Sequence, residues 1–152
     1  MYMQRAIELA RESVRLGHGG PFGCVIVKDG EVIGEGFNRV TSGCDPTAHA
    51  EVVAIRNACR KLNDFQLTGC ELYTTCEPCP MCLGAIYWAR PARVFFAATR
   101  EDAAKAGFDD EFIYTEIEKP LSDRSIEMIS IERESAIPLF DEWINKEDRI
   151  DY

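Results

Sequence analysis

The spacing of apolar and polar residues in the first part of the chain predicts a helix followed by a hairpin of two strands. In residues 3–16 the apolar side chains fall on one side of a helical wheel, which predicts an amphipathic helix that ends at a glycine. The apolar run at 24–27 predicts a buried strand. The pair Asp29-Gly30 is typical of a tight turn, after which residues 31–37 are expected to return as a second, antiparallel strand.

After a polar loop, the same periodicities predict a second helix at about residues 48–62, which Thr47 is placed to cap. The later part of the chain is predicted to contain a strand at 71–75, a helix at 79–89, a mostly apolar and buried strand at 93–98, and helices near 102–106, 111–117 and 136–145. Helices between strands imply a sheet covered by helices on both faces. Because the first pair is a hairpin and helix-linked strands pair in parallel, the predicted fold is α/β with a mixed central sheet.

The length and composition of the chain are those of one folded domain. Its 152 residues match the usual size of a domain, and 46% of them are hydrophobic, which is enough for a core. No apolar run approaches the roughly 20 residues of a membrane helix, and the N-terminal segment lacks the apolar stretch of a secretory signal. We therefore expect a single domain at 1–152 that is located in the cytoplasm and does not bind membranes.

Charge and cysteine content disfavour two further classes of protein. The 26 acidic and 17 basic residues leave a net charge of -9, whereas nucleic-acid binders usually carry a basic face that neutralises phosphates. The seven cysteines are odd in number, which argues against a disulfide framework. The sequence thus favours a small-molecule ligand over nucleic acid, and it indicates reduced thiols, two of which have the spacing of metal ligands.

Metal-ligating residue types lie at two predicted helix starts. One is His-Ala-Glu at 49–51, and the other is Pro-Cys-Pro-Met-Cys at 78–82. The positive end of a helix dipole favours the thiolate that metal binding requires, and two cysteines three apart share one helix face. His49, Cys79 and Cys82 provide three nitrogen and sulfur ligands and leave one tetrahedral position open, as in catalytic zinc sites. Water in that position has its pKa lowered to about 7.

Glu51 follows the histidine by two residues and is expected to lie beside the metal without binding it. A carboxylate there can take a proton from water and return it to a substrate nitrogen. Pairs of the form Cys-x-x-Cys also occur in structural zinc sites and in redox pairs. A redox pair needs neither His49 nor Glu51, and a structural site needs a fourth ligand, for which His18 is the one other histidine. The catalytic interpretation accounts for His49, Glu51 and the two cysteines together and needs no fourth protein ligand.

The two motifs resemble the zinc-binding signature of the cytidine deaminase superfamily. The resemblance covers nearly the whole chain. The segments 19–23, 45–51, 76–91 and, above all, 106–114 are most similar to the bacterial guanine deaminases. This resemblance implies a three-layer α/β/α fold, one zinc ion per subunit, and hydrolytic deamination of guanine to xanthine and ammonia. It also implies a homodimer in which a C-terminal segment at about 133–152 crosses to the partner and closes its site.

The resemblance assigns a role to each residue of the site. It places His49, Cys79 and Cys82 on zinc and gives Glu51 the role of proton carrier. It also implies residues that contact the substrate. Asn38 is the amide that binds the purine, and Phe22 and Trp88 are aromatic walls of the pocket. Asp110 is a second catalytic carboxylate, and Tyr152 lies in the capping tail. Each of these also has a purely structural interpretation, in the core, in a turn, at a helix cap or at a chain terminus, and Asp109 competes with Asp110 for the position facing the substrate.

Other functions stay open at the level of sequence. A deaminase of guanosine, or of another amino-substituted ring, would use the same zinc residues and would differ in the room beside the sugar-bearing nitrogen. A tRNA adenosine deaminase would share the zinc motifs, although the acidic charge disfavours it. A non-catalytic protein with a structural zinc would have no use for Glu51. The resemblance favours an enzyme that acts on a small purine.

Overall fold

The computed structural model describes residues 1–152, which form two compact units, Met1–Asp110 and Glu111–Tyr152. The first unit contains α1 (Tyr2–Arg15), β1 (Gly23–Lys28), β2 (Glu31–Phe37), α2 (Val40–Gly43), α3 (Ala50–Leu62), β3 (Glu71–Cys76), α4 (Pro80–Ala89), β4 (Arg93–Ala98) and α5 (Arg100–Lys105). The second unit contains α6 (Glu111–Glu118), a 3₁₀ helix (Leu121–Asp123) and α7 (Arg133–Ile144). None of the helices combines the length and the hydrophobicity that crossing a membrane requires.

The four strands form one mixed sheet in the order β2-β1-β3-β4. Strand β1 is antiparallel to both β2 and β3, whereas β3 and β4, which are linked by α4, are parallel. The hairpin of β1 and β2 turns at Asp29 and Gly30, whose φ angles of 50° and 82° are the positive values that a two-residue hairpin turn requires. The predicted α/β class and mixed sheet are confirmed.

Helices cover both faces of this sheet. Helix α3 packs on β1 and β2, and helix α1 packs on β1, β2 and β3. Along β1, Cys24 and Ile26 belong to the apolar cluster that includes α3, while Val25 and Val27 belong to the cluster that includes α1. Because successive side chains of a strand point to opposite faces, β1 is buried on both sides, and the predicted three-layer arrangement is confirmed.

Helix α3 approaches strand β2 closely because glycine and alanine face each other. A Cβ atom added to Gly36 would lie 2.3 Å from the backbone oxygen of Ala50 and 2.5 Å from the backbone nitrogen of Ala54. No side chain larger than hydrogen fits at that position without moving the helix. The contact therefore sets the position of the start of α3, which has His49 as its N-cap and Glu51 in its first turn.

Three predictions about element boundaries are wrong. Helix α3 begins at Ala50, and the Thr47 hydroxyl does not cap it but donates to Oδ1 of Asp45 at 2.6 Å. A local side-chain hydrogen bond of this kind competes with capping. The loop after β2 contains the short helix α2, which the sequence pattern did not indicate. The last helix begins at Arg133, three residues earlier than predicted.

Strand β4 is exposed, although its apolar sequence predicted a buried strand. Val94 is 36% exposed, Phe95 38% and Phe96 49%. Strand β4 lies at the edge of the sheet, and α1 and α3 pack on the other three strands. An apolar run predicts that the side chains of a strand will be buried, but it does not identify the surface that buries them. The exposure of β4 in this chain was therefore not predictable from its own sequence.

Gly36→Ala tests the close approach of α3 to β2. The added methyl group would meet backbone atoms, which side-chain rotation cannot relieve, so we expect the free energy of unfolding to fall by about 1–3 kcal/mol. Urea denaturation of the zinc-loaded protein measures this change. Gly43→Ala is the matched control, because a Cβ there meets nothing nearer than the Cβ of Asp45 at 4.0 Å, and its effect should stay below about 0.5 kcal/mol. Equal stability of the two variants would contradict the steric argument.

Candidate metal centre and active site

Three side chains of metal-ligating type meet where α3 and α4 begin. Nδ1 of His49 lies 3.5 Å from Sγ of Cys79 and 3.5 Å from Sγ of Cys82. All three ligand atoms lie within 4.8 Å of one another. Bonds of about 2.0–2.3 Å at tetrahedral angles would separate the ligands of one zinc ion by roughly 3.5 Å. The donor types and their spacing therefore fit zinc.

Both helices direct their N-terminal ends toward this point. His49 and Cys79 are the N-cap residues of α3 and α4, with extended ψ angles of 156° and 167°, and neither side chain caps its own helix. Pro80 at the first position of α4 suits a helix start, because its φ is already helical and no N–H is lost. The imidazole and the thiol are thus available to a metal, and the helix dipoles favour thiolate.

The protonation of the two cysteines is strongly coupled. The hydrogen bond from Cys82, together with the one to His49, lowers the pKa of Cys79 to about 4. The same bond to Cys79 raises the pKa of Cys82, and the contact with Cys79 raises the pKa of His49. The pair shares its protons through this hydrogen bond, and binding of a metal, which requires both thiolates, would release them.

Glu51 lies in the first turn of α3 and is only 6% exposed. Its Oε1 accepts a hydrogen bond from the Thr74 hydroxyl at 3.2 Å, and its Oε2 accepts one from Sγ of Cys82 at 3.3 Å. Burial raises the pKa of the Glu51 carboxyl. A buried carboxyl next to a metal site is suited to accept and donate protons.

Asn38 is 5% exposed and follows β2 directly. Its backbone N–H donates to the oxygen of Phe22 at 3.0 Å, and its backbone oxygen accepts from the Ser13 hydroxyl at 2.8 Å. The side-chain Oδ1 accepts from the N–H of Val40 at 3.1 Å. Only glycine fits at position 19, next to this amide, since a Cβ there would lie 2.0 Å from Oδ1 of Asn38. The amide is thus rigidly held by its oxygen, and its Nδ2 is the group left to bind a ligand.

The ring of Phe22 is half-buried and packs edge-on against Phe108. The ring centroids are 4.9 Å apart and the planes are inclined at 85°, a favourable aromatic geometry. A Cβ at Gly20 would lie 2.9 Å from the ring of Phe22 and 3.1 Å from that of Phe108. The loop before β1 therefore needs glycine at this position in order to place the two rings.

The remaining predicted residues lie in differing environments. Asp110 is partly buried, and burial, followed by the negative charge of Cys79, raises the pKa of its carboxyl. Asp109 is exposed, so Asp110 is the better candidate of the two to face a substrate. Trp88 is 64% exposed near the end of α4. Tyr152 belongs to the second unit, where its ring centroid is 6.5 Å from that of Trp143.

Two residues just before α4, Cys76 and Glu77, make hydrogen bonds to the segment that follows β4. Oε2 of Glu77 accepts from the backbone N–H of Arg100 at 3.2 Å. Sγ of Cys76 donates to the backbone oxygen of Thr99 at 3.6 Å. Both contacts attach the segment before α4 to the segment after β4. His18 is not among the clustered ligands, so the alternative of a fourth protein ligand finds no support.

The sequence patterns did not single out Thr74 or Phe108 as site residues. The signal for Thr74 was available, because alternate residues of β3 are buried and a threonine in that set needs a polar partner. Phe108 lies in the segment 106–114, two residues before Asp110. Its contact with Phe22 joins residues far apart in the chain, and no local pattern indicates it.

Comparison with known proteins agrees with this geometry. Residues 1–98 match the family model of the cytidine and deoxycytidylate deaminase zinc-binding region. The chain is 56% identical to the guanine deaminase of Bacillus subtilis over 151 residues, which are 99% of this chain and 97% of that protein. The X-ray structure of the Bacillus subtilis guanine deaminase superposes with a TM-score of 0.96 and covers 99% of this chain and 96% of its own.

Other similar proteins match a smaller part of the chain. A tRNA-specific adenosine deaminase of Aquifex aeolicus is 53% identical over 78 residues, which are 51% of this chain and 52% of that protein. A structure of guanine deaminase from Nitrosomonas europaea is 35% identical with a TM-score of 0.68, and the match covers 72% of this chain and 63% of that one. The family match and the full-length similarity show that the chain belongs to the cytidine and deoxycytidylate deaminase family of zinc-binding proteins.

Proposed function

We propose that this protein is a zinc-dependent enzyme that hydrolyses guanine to xanthine and ammonia. The observation that carries the proposal is a buried carboxyl, Glu51, beside three nitrogen and sulfur ligands that leave one tetrahedral position of zinc open. The preference for guanine over other amino-substituted rings is supported by the similarity to the Bacillus subtilis enzyme, which extends over 99% of the chain.

The proposed reaction replaces the amino group at C2 of guanine with oxygen. The oxygen of water bonds to C2, one of its protons goes to ring atom N3, and the other goes to the amine, which leaves as ammonia. Bound zinc supplies a Lewis acid that lowers the pKa of water. Glu51 carries both protons, since its carboxyl lies beside the metal ligands and can accept and donate in turn. Its Oε2, which accepts from Cys82, is the oxygen proposed to make this transfer.

Recognition of the purine is proposed to use both its edge and its faces. Nδ2 of Asn38 donates to an acceptor on the rim, since Oδ1 is held by a backbone N–H. The Asp110 carboxylate accepts from a ring N–H or assists the leaving amine. Phe22, steadied by Phe108, lies against the flat apolar face, and Trp88 forms a second wall.

We further propose a homodimer in which the segment 133–152 of one subunit closes the site of the other through Tyr152. No residue of the second unit is buried in the single chain. Its exposed apolar side chains include Phe112, Leu139, Phe140, Ile144 and Ile150, all more than 60% exposed. Strand β4 and α4 also expose aromatic rings, with Phe96 at 49% and Tyr87 at 75%. Exposed apolar surface on this scale is typical of an interface, and a second copy would cover it.

The chemistry of the metal ligands supports a location in the cytoplasm. Zinc binding requires Cys79 and Cys82 as thiolates, and all seven cysteines of the chain are free. Thiols are kept reduced in the cytosol and are oxidised in secretory compartments. We therefore propose a cytoplasmic enzyme.

Deamination of adenosine in tRNA is the second candidate, since the tRNA-specific enzyme of Aquifex aeolicus is 53% identical over its matched part. That match covers 51% of this chain, whereas the match to guanine deaminase covers 99%. The net charge of -9 also disfavours binding to a polyphosphate. A small purine is therefore the preferred substrate.

Ammonia release from guanine and from guanosine, measured side by side, tests the substrate. We expect turnover of guanine and little or none of guanosine, because a closing tail leaves no room for ribose. Equal turnover of guanosine would show a pocket that is open toward the sugar and would contradict the role given to Tyr152. Absence of turnover with guanine, in protein whose zinc content is one per chain, would refute the proposed substrate.

Glu51→Gln tests the proton carrier. Glutamine keeps the shape of the side chain but does not exchange protons, so kcat should fall by roughly 10²–10⁴-fold while zinc content stays the same. Steady-state kinetics and metal analysis measure the two quantities. Glu71→Gln is the control, since Glu71 forms an ion pair with Arg93 at 2.8 Å on the same sheet and takes no part in the site. Undiminished kcat in Glu51→Gln would eliminate the assigned role.

Deletion of residues 147–152 tests the capping tail, and we expect at least a roughly tenfold loss of kcat/KM with unchanged zinc content. Mixing this protein with full-length Glu51→Gln, under conditions that let dimers exchange, tests the swap itself. In a mixed dimer, the truncated chain keeps Glu51 and receives the tail of its partner, so activity should reappear. If light scattering shows mixed dimers and activity stays absent, the swap is wrong.

A further inference from the structure

Thr74 occupies a fully buried position in the interior of the sheet. Strand β3 lies between β1 and β4, and alternate residues along it, Leu72, Thr74 and Cys76, point into the core. Thr74 is 1% exposed. A hydroxyl at such a position is destabilising unless it forms a hydrogen bond, whereas an apolar side chain of the same shape would carry no such requirement. The bond that Thr74 makes therefore indicates its role.

The partner of the Thr74 hydroxyl is Glu51. Oγ1 of Thr74 donates to Oε1 of Glu51 at 3.2 Å, and this is the side-chain hydrogen bond of Thr74 in the structure. The register of the sheet places Thr74 opposite Cys24 of β1 and opposite Phe96 of β4. The donor is thus fixed by two neighbouring strands, and the acceptor by the first turn of α3.

The two oxygens of Glu51 have different surroundings. Oε1 is held by Thr74 from the side of the sheet, while Oε2 lies 3.3 Å from Sγ of Cys82 on the side of the metal ligands. Zinc binds cysteine as thiolate, so Cys82 has no proton to donate to Oε2 once it is a ligand. Thr74 is then the side-chain donor that still restrains the Glu51 carboxyl.

We infer that Thr74 is a positioning residue, whose hydroxyl fixes Oε1 of Glu51 so that Oε2 stays directed at the reacting water and the substrate nitrogen. This inference rests on the proposed deaminase function. A proton carrier must stay within hydrogen-bond reach of two sites in succession, and a carboxyl that rotates away from either is unproductive. Proton transfer by a positioned group increases the reaction rate roughly 10²–10⁴-fold, and the hydrogen bond of Thr74 accounts for part of that increase.

Thr74→Val and Thr74→Ser separate the hydroxyl from the rest of the side chain. Valine keeps the shape and cannot donate, so kcat should fall roughly tenfold, the value of one hydrogen bond, while KM and zinc content stay unchanged. Serine keeps the donor and should retain a kcat near that of the wild type. Unchanged kcat in the valine variant, or an equal loss in both variants, would overturn the inference.

Infrared difference spectroscopy supplies a readout that does not depend on turnover. The carboxyl stretching band of Glu51 is the band that disappears in Glu51→Gln, and it should shift in Thr74→Val and not in Thr74→Ser. A band that stays in place in the valine variant would overturn the inference. Wild-type protein without turnover of guanine would refute the proposed function instead, and the infrared shift would still report whether Thr74 holds the carboxyl.

Discussion

Helix α3 lies so close to the sheet that Gly36 of β2 faces backbone atoms of Ala50 and Ala54 with no space for a methyl group. The site depends on this contact, because the same helix carries a candidate metal ligand at its N-cap and the proposed proton carrier in its first turn. The other two ligands come from α4, which follows the interior strand β3. A shift of α3 away from the sheet would separate His49 from the cysteines and would also remove Glu51 from its donor on β3.

A carboxylate buried beside two thiolates is electrostatically unfavourable, and the structure shows how the repulsion between these negative charges is limited. The hydrogen bonds of Cys79 lower the pKa of its thiol and so favour a negative charge there, while burial raises the pKa of Glu51. Two helix N-termini add positive partial charge at the same point. An added Zn²⁺ ion is the large positive charge that such a cluster favours, and it explains why thiolates and a carboxyl can lie together inside the fold.

The first unit holds the metal ligands and the residues proposed to contact the edge of the purine. Its exposed aromatic residues on β4 and α4, and the absence of buried residues in the second unit, indicate that a single chain leaves much apolar surface uncovered. Under the proposed dimer, that surface becomes an interface, and the subunit that binds the metal depends on its partner for Tyr152. Catalysis and assembly would then be coupled, because an isolated chain would have an open site.

The sequence by itself determined most of the elements and the candidate metal ligands, since both depend on local spacing. Cys79 and Cys82 share a helix face because they are three residues apart, and the alternation of strands and helices follows from apolar periodicity. Only the tertiary structure decided that Thr74 holds Glu51 and that Phe108 steadies Phe22, because these contacts join residues distant in the chain. It also decided against Thr47 as a cap and against burial of β4. A local sequence pattern indicates whether a side chain must be buried or hydrogen-bonded. Which residue buries it or bonds to it depends on how the helices and strands pack.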